Sequence, residues 1–410
     1  MKIRAVTSFY DPLLVKENDL IDLANCSKEI ADALSSSGYI VQSQRLATTP
    51  FPKWLNVKSN RKNQAEIMQH LAGSTSDKDW QYTSIGPALP GQLDDFTLIP
   101  ELLSTSPSLF SAGIIASGTQ LFPAACQAAA NVIVKNAVIT TDGFTNLRFA
   151  ALANVPPYAP FLPAAYSKEG DAPSIALAME CADEVVASFS TCHSLEDGCD
   201  KLLRKLEENA TQIEKICSAI CEGYQVTFRG FDFSPAPYPE DWCSLGKAIE
   251  SLGVSSLGMS GSLAAAAIVA STLDQGKWKR CGFNGLMLPV LEDSTLAHRA
   301  ASGILTIKDL LLYSAVCGTG LDTIPLAGNT TAEQLTGVLM DLGALACRLN
   351  KPLTGRLMPI PGKLAGDRTD YNFEFFANSR VMALEAEKIG APMISAPEIK
   401  IAPRNSINNH

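Results

Sequence analysis

Apolar and polar positions alternate along this chain with two periods, and the switches between them mark out its elements. "KIRAVTSF" has the two-residue period of a strand, and residues 19 to 37 follow with helical spacing that stops at Gly38. "YIVQSQRLAT" predicts a second strand, and a charged helix follows around residues 61 to 73. "YTSIGPAL", "SAGIIAS" and "NAVITT" predict further strands separated by helical runs. The middle reads as more helical. "SIALAMECADEVVASF" and the Lys/Glu-rich run from 196 to 221 predict two helices joined by a polar bend. "YQVTFRGFDFSPAPYP" predicts a strand ended abruptly by prolines, and "GLMLPV", "RLMPIP" and "EIKIAP" predict later ones.

Near the C-terminal third, Thr306 and Asp309 open a helix, and Thr330 with Glu333 spells a capping box for another. Between them, "AVCGTGLDTIPLAGNTT" reads as a Gly-rich loop of unusual length, which calls for a reason.

Strand–helix alternation predicts an α/β fold with mainly parallel sheet. With no Ser/Gly linker, residues 1–400 read as one unit with helical additions around 174–221, and residues 401–410 as a tail. Periodicity alone leaves a closed barrel and an open sheet both standing.

Composition narrows the function classes. The chain has 410 residues, 46% of them hydrophobic, so a large core is within reach, and its formal charge of -9 argues against nucleic acid or an anionic membrane as main partner. The charged N-terminus predicts a strand and not a signal peptide, and the alanine-rich run from 255 to 278 suits a buried helix rather than a membrane span. Cys126, Cys181, Cys217, Cys221 and Cys347 read as small buried hydrophobes in a reducing, cytoplasmic compartment. Cys192, His193 and Cys199 lack a fourth ligand at zinc spacing.

Candidate chemistry gathers where charge interrupts apolar runs. Asp232 ends a strand beside a Ser-Pro-Ala-Pro turn; it reads as a ligand-binding carboxylate or as a turn cap. Glu292 and Asp293 precede a helix carrying His298, and read as oxygen and nitrogen donors to Mg²⁺, Mn²⁺ or Ca²⁺ or as ordinary helix-start acids. Arg356, Lys363 and Asp367 frame a loop suited to an anionic substrate, while Arg45 and Ser117 stand at comparable strand ends. Cys317 is a nucleophile candidate with His298 and Asp322, but a helix C-terminus disfavours its thiolate. Asp322 is the stronger candidate, since a carboxylate among apolar residues needs a dedicated partner. Neither a P-loop nor a G-x-G-x-x-G after the first strand is present, so NAD is not expected.

The segments "GLMLPVLEDSTLAHRA", "AVCGTGLDTIPLAGNTTAEQL", "GRLMPIPGKLAGD" and "FRGFDFSPAPYP", with "FLPAAY", "SIGPA" and "QRLAT", resemble the DUF711 family, also called UPF0210, over nearly the whole chain. The resemblance implies an α/β barrel like that of the glycyl-radical enzymes, with strands around a central loop. It would put the Cys317 to Asp322 segment or a neighbouring loop near a cavity. The radical chemistry does not carry over: Arg380-Val381 is followed by Met382 and Ala383 instead of the radical glycine, and no adjacent Cys-Cys pair occurs. After "PGKLAGD" the family pattern is a Gly-rich apolar stretch, where this chain has "YNFEFFANSRVM", which implies an altered ligand pocket.

The expectation is a non-radical enzyme acting on a small polar or anionic metabolite by metal- or acid/base-assisted chemistry of lyase or hydrolase type. A metabolite-binding regulator without turnover is the alternative, and homo-oligomerisation stays open.

Overall fold

The structure, a computed structural model, describes residues 1–55, 61–316 and 318–404. Eleven strands form one sheet: β1 (Lys2–Tyr10), β2 (Gln44–Thr48), β3 (Tyr82–Ala88), β4 (Leu109–Ser117), β5 (Gln120–Leu121), β6 (Phe149–Ala153), β7 (Ser174–Glu180), β8 (Thr227–Asp232), β9 (Gly320–Ala327), β10 (Leu353–Ile360) and β11 (Ile399–Lys400). Their order is β8-β7-β1-β2-β3-β4-β6-β10-β9, with β5 and β11 attached beside β4. The sheet is mostly parallel. β1, β2, β3, β4 and β6 run one way, while β7–β8 on one flank and β9–β10 on the other run oppositely. The α/β expectation holds at this level.

Each face of the sheet has its own cover. On the outer face, Ile3, Val6, Leu46, Ile115, Leu177, Phe231, Leu321 and Leu357 pack against helices that supply Leu23, Ile30, Phe96, Ile133, Leu206 and Leu339. The inner face carries small residues and hydroxyls, and the loop 154–167 lies against it. Thr7 and Ser84 donate from Oγ to the carbonyls of Pro160 (2.7 Å) and Ala165 (2.7 Å), giving buried loop carbonyls the partners they need. Ala112, Ala150 and Leu152 meet Val155, Ala159 and Ala164 there, and Phe9 stacks edge-on against Tyr158. Ala at these inner positions leaves room for a second layer of chain.

Beyond the last strands, Arg280 bridges Phe231 at the end of β8, and Pro289 bridges Asp322 on β9. The backbone between them thus touches both outermost strands. "GLMLPV" forms only this bridge and no ladder strand.

Several elements differ from expectation. "SIALAME" is β7, a fully buried strand, because pairing with β1 and β8 outweighs the helical propensity of Ala, Met and Glu. "NAVITT" is the end of the helix Pro123–Ala137 and a turn, and β6 lies nearby instead. The long Gly-rich loop contains β9, so Asp322 stands within a strand. Arg356, expected ahead of a strand, lies within β10. The following helix, Ala332–Leu349, is capped one residue later than expected: Thr331 and Gln334 close the box. The box at Thr306 and Asp309 is as expected, and the five cysteines named above are buried. Among the described residues, no helix is long and apolar enough to cross a membrane.

Candidate functional site

A cavity of about 290 Å³ lies on the inner face between β1, β2, β6, β9 and β10, at the low end of small-molecule sites. Its charged groups sit where strand pairing slips. Along β1, Ile3 pairs with Met179 and Ala5 with Ala178, so Arg4 is supernumerary. Along β9 and β10, Gly355 pairs with Leu321 and Leu357 with Ile324, so Asp322 and Thr323 together face Arg356. Such bulges re-aim side chains, and here they turn Arg4 and Asp322 into the cavity while Ile3, Val6, Leu321 and Ile324 stay on the helix side. Thr323 takes the left-handed φ of +45°, strained for a β-branched residue, and its Oγ1 accepts from the Leu291 amide at 3.3 Å.

These groups form a chain of alternating charge. Glu180 accepts from Arg4 Nη1 (2.7 Å) and Gln42 Nε2 (2.7 Å). Arg4 Nη2 donates to Glu292 Oε2 at 2.8 Å, and Arg356 Nη2 donates to Glu292 Oε1 at 2.8 Å. Arg356 Nε then reaches Asp322 Oδ1 at 2.5 Å. Glu180, Glu292, Asp322 and Arg356 are all buried. Burial pushes the Asp322 carboxyl up against the pull of Arg356, and Glu292 pushes the same way. Burial works against the charge of Arg356, but Asp322 and Glu292 more than offset it.

Of the residues expected from sequence, Arg45, Glu292, Asp322 and Arg356 come together at this cavity. The others serve elsewhere. Asp232 is a fully buried turn cap: Oδ1 accepts from the Ser234 amide and hydroxyl and from the Asn284 amide, and Oδ2 from the Phe283 amide at 2.7 Å. Burial raises its carboxyl against those donors. Asp293 caps the helix Ser294–Ala301, accepting from the amides of Thr295 and Leu296 and from Ser244 Oγ, with Gly246 N on its other oxygen. Glu292 and Asp293 therefore serve different partners, and every oxygen of the pair already takes a donor, an arrangement ill suited to a cation. Among the described residues, no cluster of three His, Cys, Asp or Glu could hold a metal. His298 is exposed on that helix, and Ser117 is exposed at the end of β4. Lys363 pairs with Asp370 at 2.6 Å, and Asp367 accepts from the Leu364 amide in an exposed turn. Cys317 lies outside the described residues.

Sequence reasoning passed over Arg4, Glu180 and Arg229, while the aromatic wall of Phe373 and Phe375 lies in the segment expected to alter the pocket. A signal was present: Ile3-Arg4-Ala5-Val6, Phe228-Arg229-Gly230-Phe231 and Leu321-Asp322-Thr323-Ile324 each place a charged and a small residue between apolar ones three apart. Two consecutive residues leave the apolar face, which breaks strict alternation and marks a bulge. Arg229 is the extra residue between Phe228 and Gly230 on β8, and its guanidinium lies 3.9 Å from the Tyr158 ring centre.

A family model described as "Uncharacterised ACR (DUF711)" matches residues 1–374. The chain belongs to this family. The DUF711 chain is 27% identical to a UPF0210 protein of Syntrophobacter fumaroxidans over 88% of its own length and 84% of the relative. It is 27% identical to one from Methanopyrus kandleri over 84% and 80% of the two chains. One from Pyrobaculum aerophilum is 31% identical over 54% of this chain and 51% of the relative.

Proposed function

We propose that this protein is a non-radical enzyme that moves a proton on a small anionic metabolite held in the inner cavity, in a reaction of lyase or hydrolase type. The observation that carries the reading is Asp322, a buried carboxyl at the cavity wall whose proton affinity is raised by burial while Arg356 fixes its orientation. A carboxyl raised above its ordinary range takes up a proton more readily than a free one, which suits general acid/base catalysis. Glu292 ties Arg356 to Arg4, so the carboxyl is held by a chain anchored on two strands. Arg45 receives the anionic group of the substrate. Because both carboxylates of the Glu292–Asp293 pair are already engaged, acid/base chemistry fits this arrangement better than a cation held there.

The same reading takes the chain as one unit whose sheet closes on itself, with the backbone 280–290 bridging β8 and β9 as a further staves-like segment around loop 154–167. That arrangement supports likeness to the glycyl-radical enzyme barrel in shape alone, without its chemistry.

The test is incubation with a metabolite extract, with and without added Mg²⁺ or Mn²⁺, followed by mass spectrometry. A compound changed by the native protein and left unchanged by Asp322→Asn supports the enzyme. A compound that is retained but recovered unchanged across pH and metals makes the protein a metabolite-binding regulator.

A further inference from the structure

Among the described residues, four arginines line the cavity, and three have their charge or their donors taken up. Arg4 holds Glu180 and Glu292, and Arg356 holds Glu292 and Asp322. Arg148 Nη1 donates to the carbonyls of Leu103, Ser106 and Leu109, pinning the turn before β4. Arg45 differs. Its Nε donates to Ser43 Oγ at 2.9 Å, and among the described residues its two terminal nitrogens have no hydrogen-bond acceptor and its charge has no carboxylate partner. Burial, with Arg4 and Arg356 close by, pushes this guanidinium down to about 9, with Tyr82 and Glu292 pulling the other way. A guanidinium does not ordinarily shed its proton in a protein, so these two terminal nitrogens stand ready to donate to an anion from outside.

The space beside Arg45 is apolar and aromatic. Tyr82 lies with its ring centre 5.9 Å from the guanidinium carbon and meets Phe110 edge-on at 5.5 Å. Phe161, Phe283 and Phe373 complete these walls. Phe375 covers Arg4 at 4.9 Å, one residue beyond the span matched by the family. Glu374 also reaches the cavity rim and opposes a second negative charge on a ligand.

We infer that Arg45 anchors a small monocarboxylate whose body is aromatic or otherwise flat and apolar. The inference rests on the proposed function for the choice of cavity, and names its substrate class. The planar fork of a guanidinium matches a carboxylate with two parallel hydrogen bonds, and one unpaired fork matches one negative charge. The rings then take up the apolar body, and the limited volume restricts it to about a single ring with a short side chain.

Calorimetric titration with phenylacetate, phenylacetamide, acetate and phenyl phosphate tests this on the native protein. Phenylacetate is expected to bind at least about tenfold more tightly than each of the other three. An Arg45→Gln variant with an unchanged melting temperature should lose about tenfold or more for phenylacetate and little for the amide. Equal binding of the amide removes the anion anchor. Equal binding of acetate removes the apolar body, and tighter phenyl phosphate makes this a dianion site. No binding by any probe at millimolar concentration also overturns the inference. Should Arg45→Gln fail to fold, the four ligands on the native protein still decide. Binding of phenylacetate without turnover of any metabolite would sink the enzyme reading and leave this one standing; turnover of a small anionic metabolite by a protein that binds none of the four probes would do the reverse.

Discussion

Arg356 donates from Nε to Asp322 where one residue of β10 faces two of β9. The pair owes its contact to that slip, since Asp322 and Thr323 both leave the helix-facing side while Leu321 and Ile324 remain on it. Replacing Arg356 with Met would leave Asp322 with its guanidinium partner gone and Glu292 with only Arg4. Breaking a buried pair from one side costs about 3–5 kcal/mol. Urea unfolding of Arg356→Met should show a loss of that order, and the double variant with Asp322→Asn should recover part of it. A single variant as stable as the native protein would mean the pair contributes nothing.

The pH dependence of Asp322 has a definite sign. Its folded carboxyl lies above the unfolded value of about 4 because of burial. The stability that its proton contributes is fully present below the unfolded value and is lost as pH rises through the folded one. Asparagine does not titrate, so Asp322→Asn should cost most in acid, with the difference from the native protein narrowing as pH rises. Denaturant midpoints of both proteins across the acid range measure this; a difference that widens with pH contradicts the assignment.

Gly282 takes a φ of +70°, and a Cβ there would lie 2.2 Å from Asp232 Oδ2. Gly282→Ala should lose about 1–3 kcal/mol to backbone conformation alone. Displacement of the Asp232 cap adds to that. Chemical unfolding is the readout, and a change within about 0.5 kcal/mol, ordinary for a surface site, would refute it.

His298 and Lys363 lie away from the cavity, one on an exposed helix position and one paired with Asp370. Alanine at either should leave phenylacetate affinity unchanged and shift stability by no more than about 1 kcal/mol. Loss of binding in His298→Ala with the fold intact would bring the helix Ser294–Ala301 into the site.

Helices were legible in the chain wherever a cap and an apolar stripe coincide, as at Thr306 and along Leu335, Val338, Leu339 and Leu342. Strands were legible where alternation is plain, as in β1. The site was half legible: isolated charges in apolar surroundings drew attention to Asp322, Glu292, Arg356 and Arg45. Glu180 was hidden because "SIALAME" looks helical by composition, and pairing with two neighbours decides its state. Asp322 was assigned to a loop because Gly320 and Pro325 disguise a strand whose buried pairing tolerates them. The partition of Glu292 and Asp293 between cavity and helix cap depends on Ser244 and Gly246, about fifty positions earlier, and local pattern carries no trace of that contact.

The supernumerary position of Arg4 has a consequence for how this protein can be edited. A substitution there keeps the bulge and leaves a gap facing Glu180 and Glu292. Deleting the residue would suit β7, where the partners Met179 and Ala178 are already neighbours, but not β2, where Ile3 bridges Val41 and Val6 pairs with Gln44, three residues apart on both strands. The extra residue is thus a mismatch with one neighbour and a match with the other, so the strand cannot be shortened there without slipping against β2. One codon removed should lower the denaturant midpoint further than Arg4→Ala does.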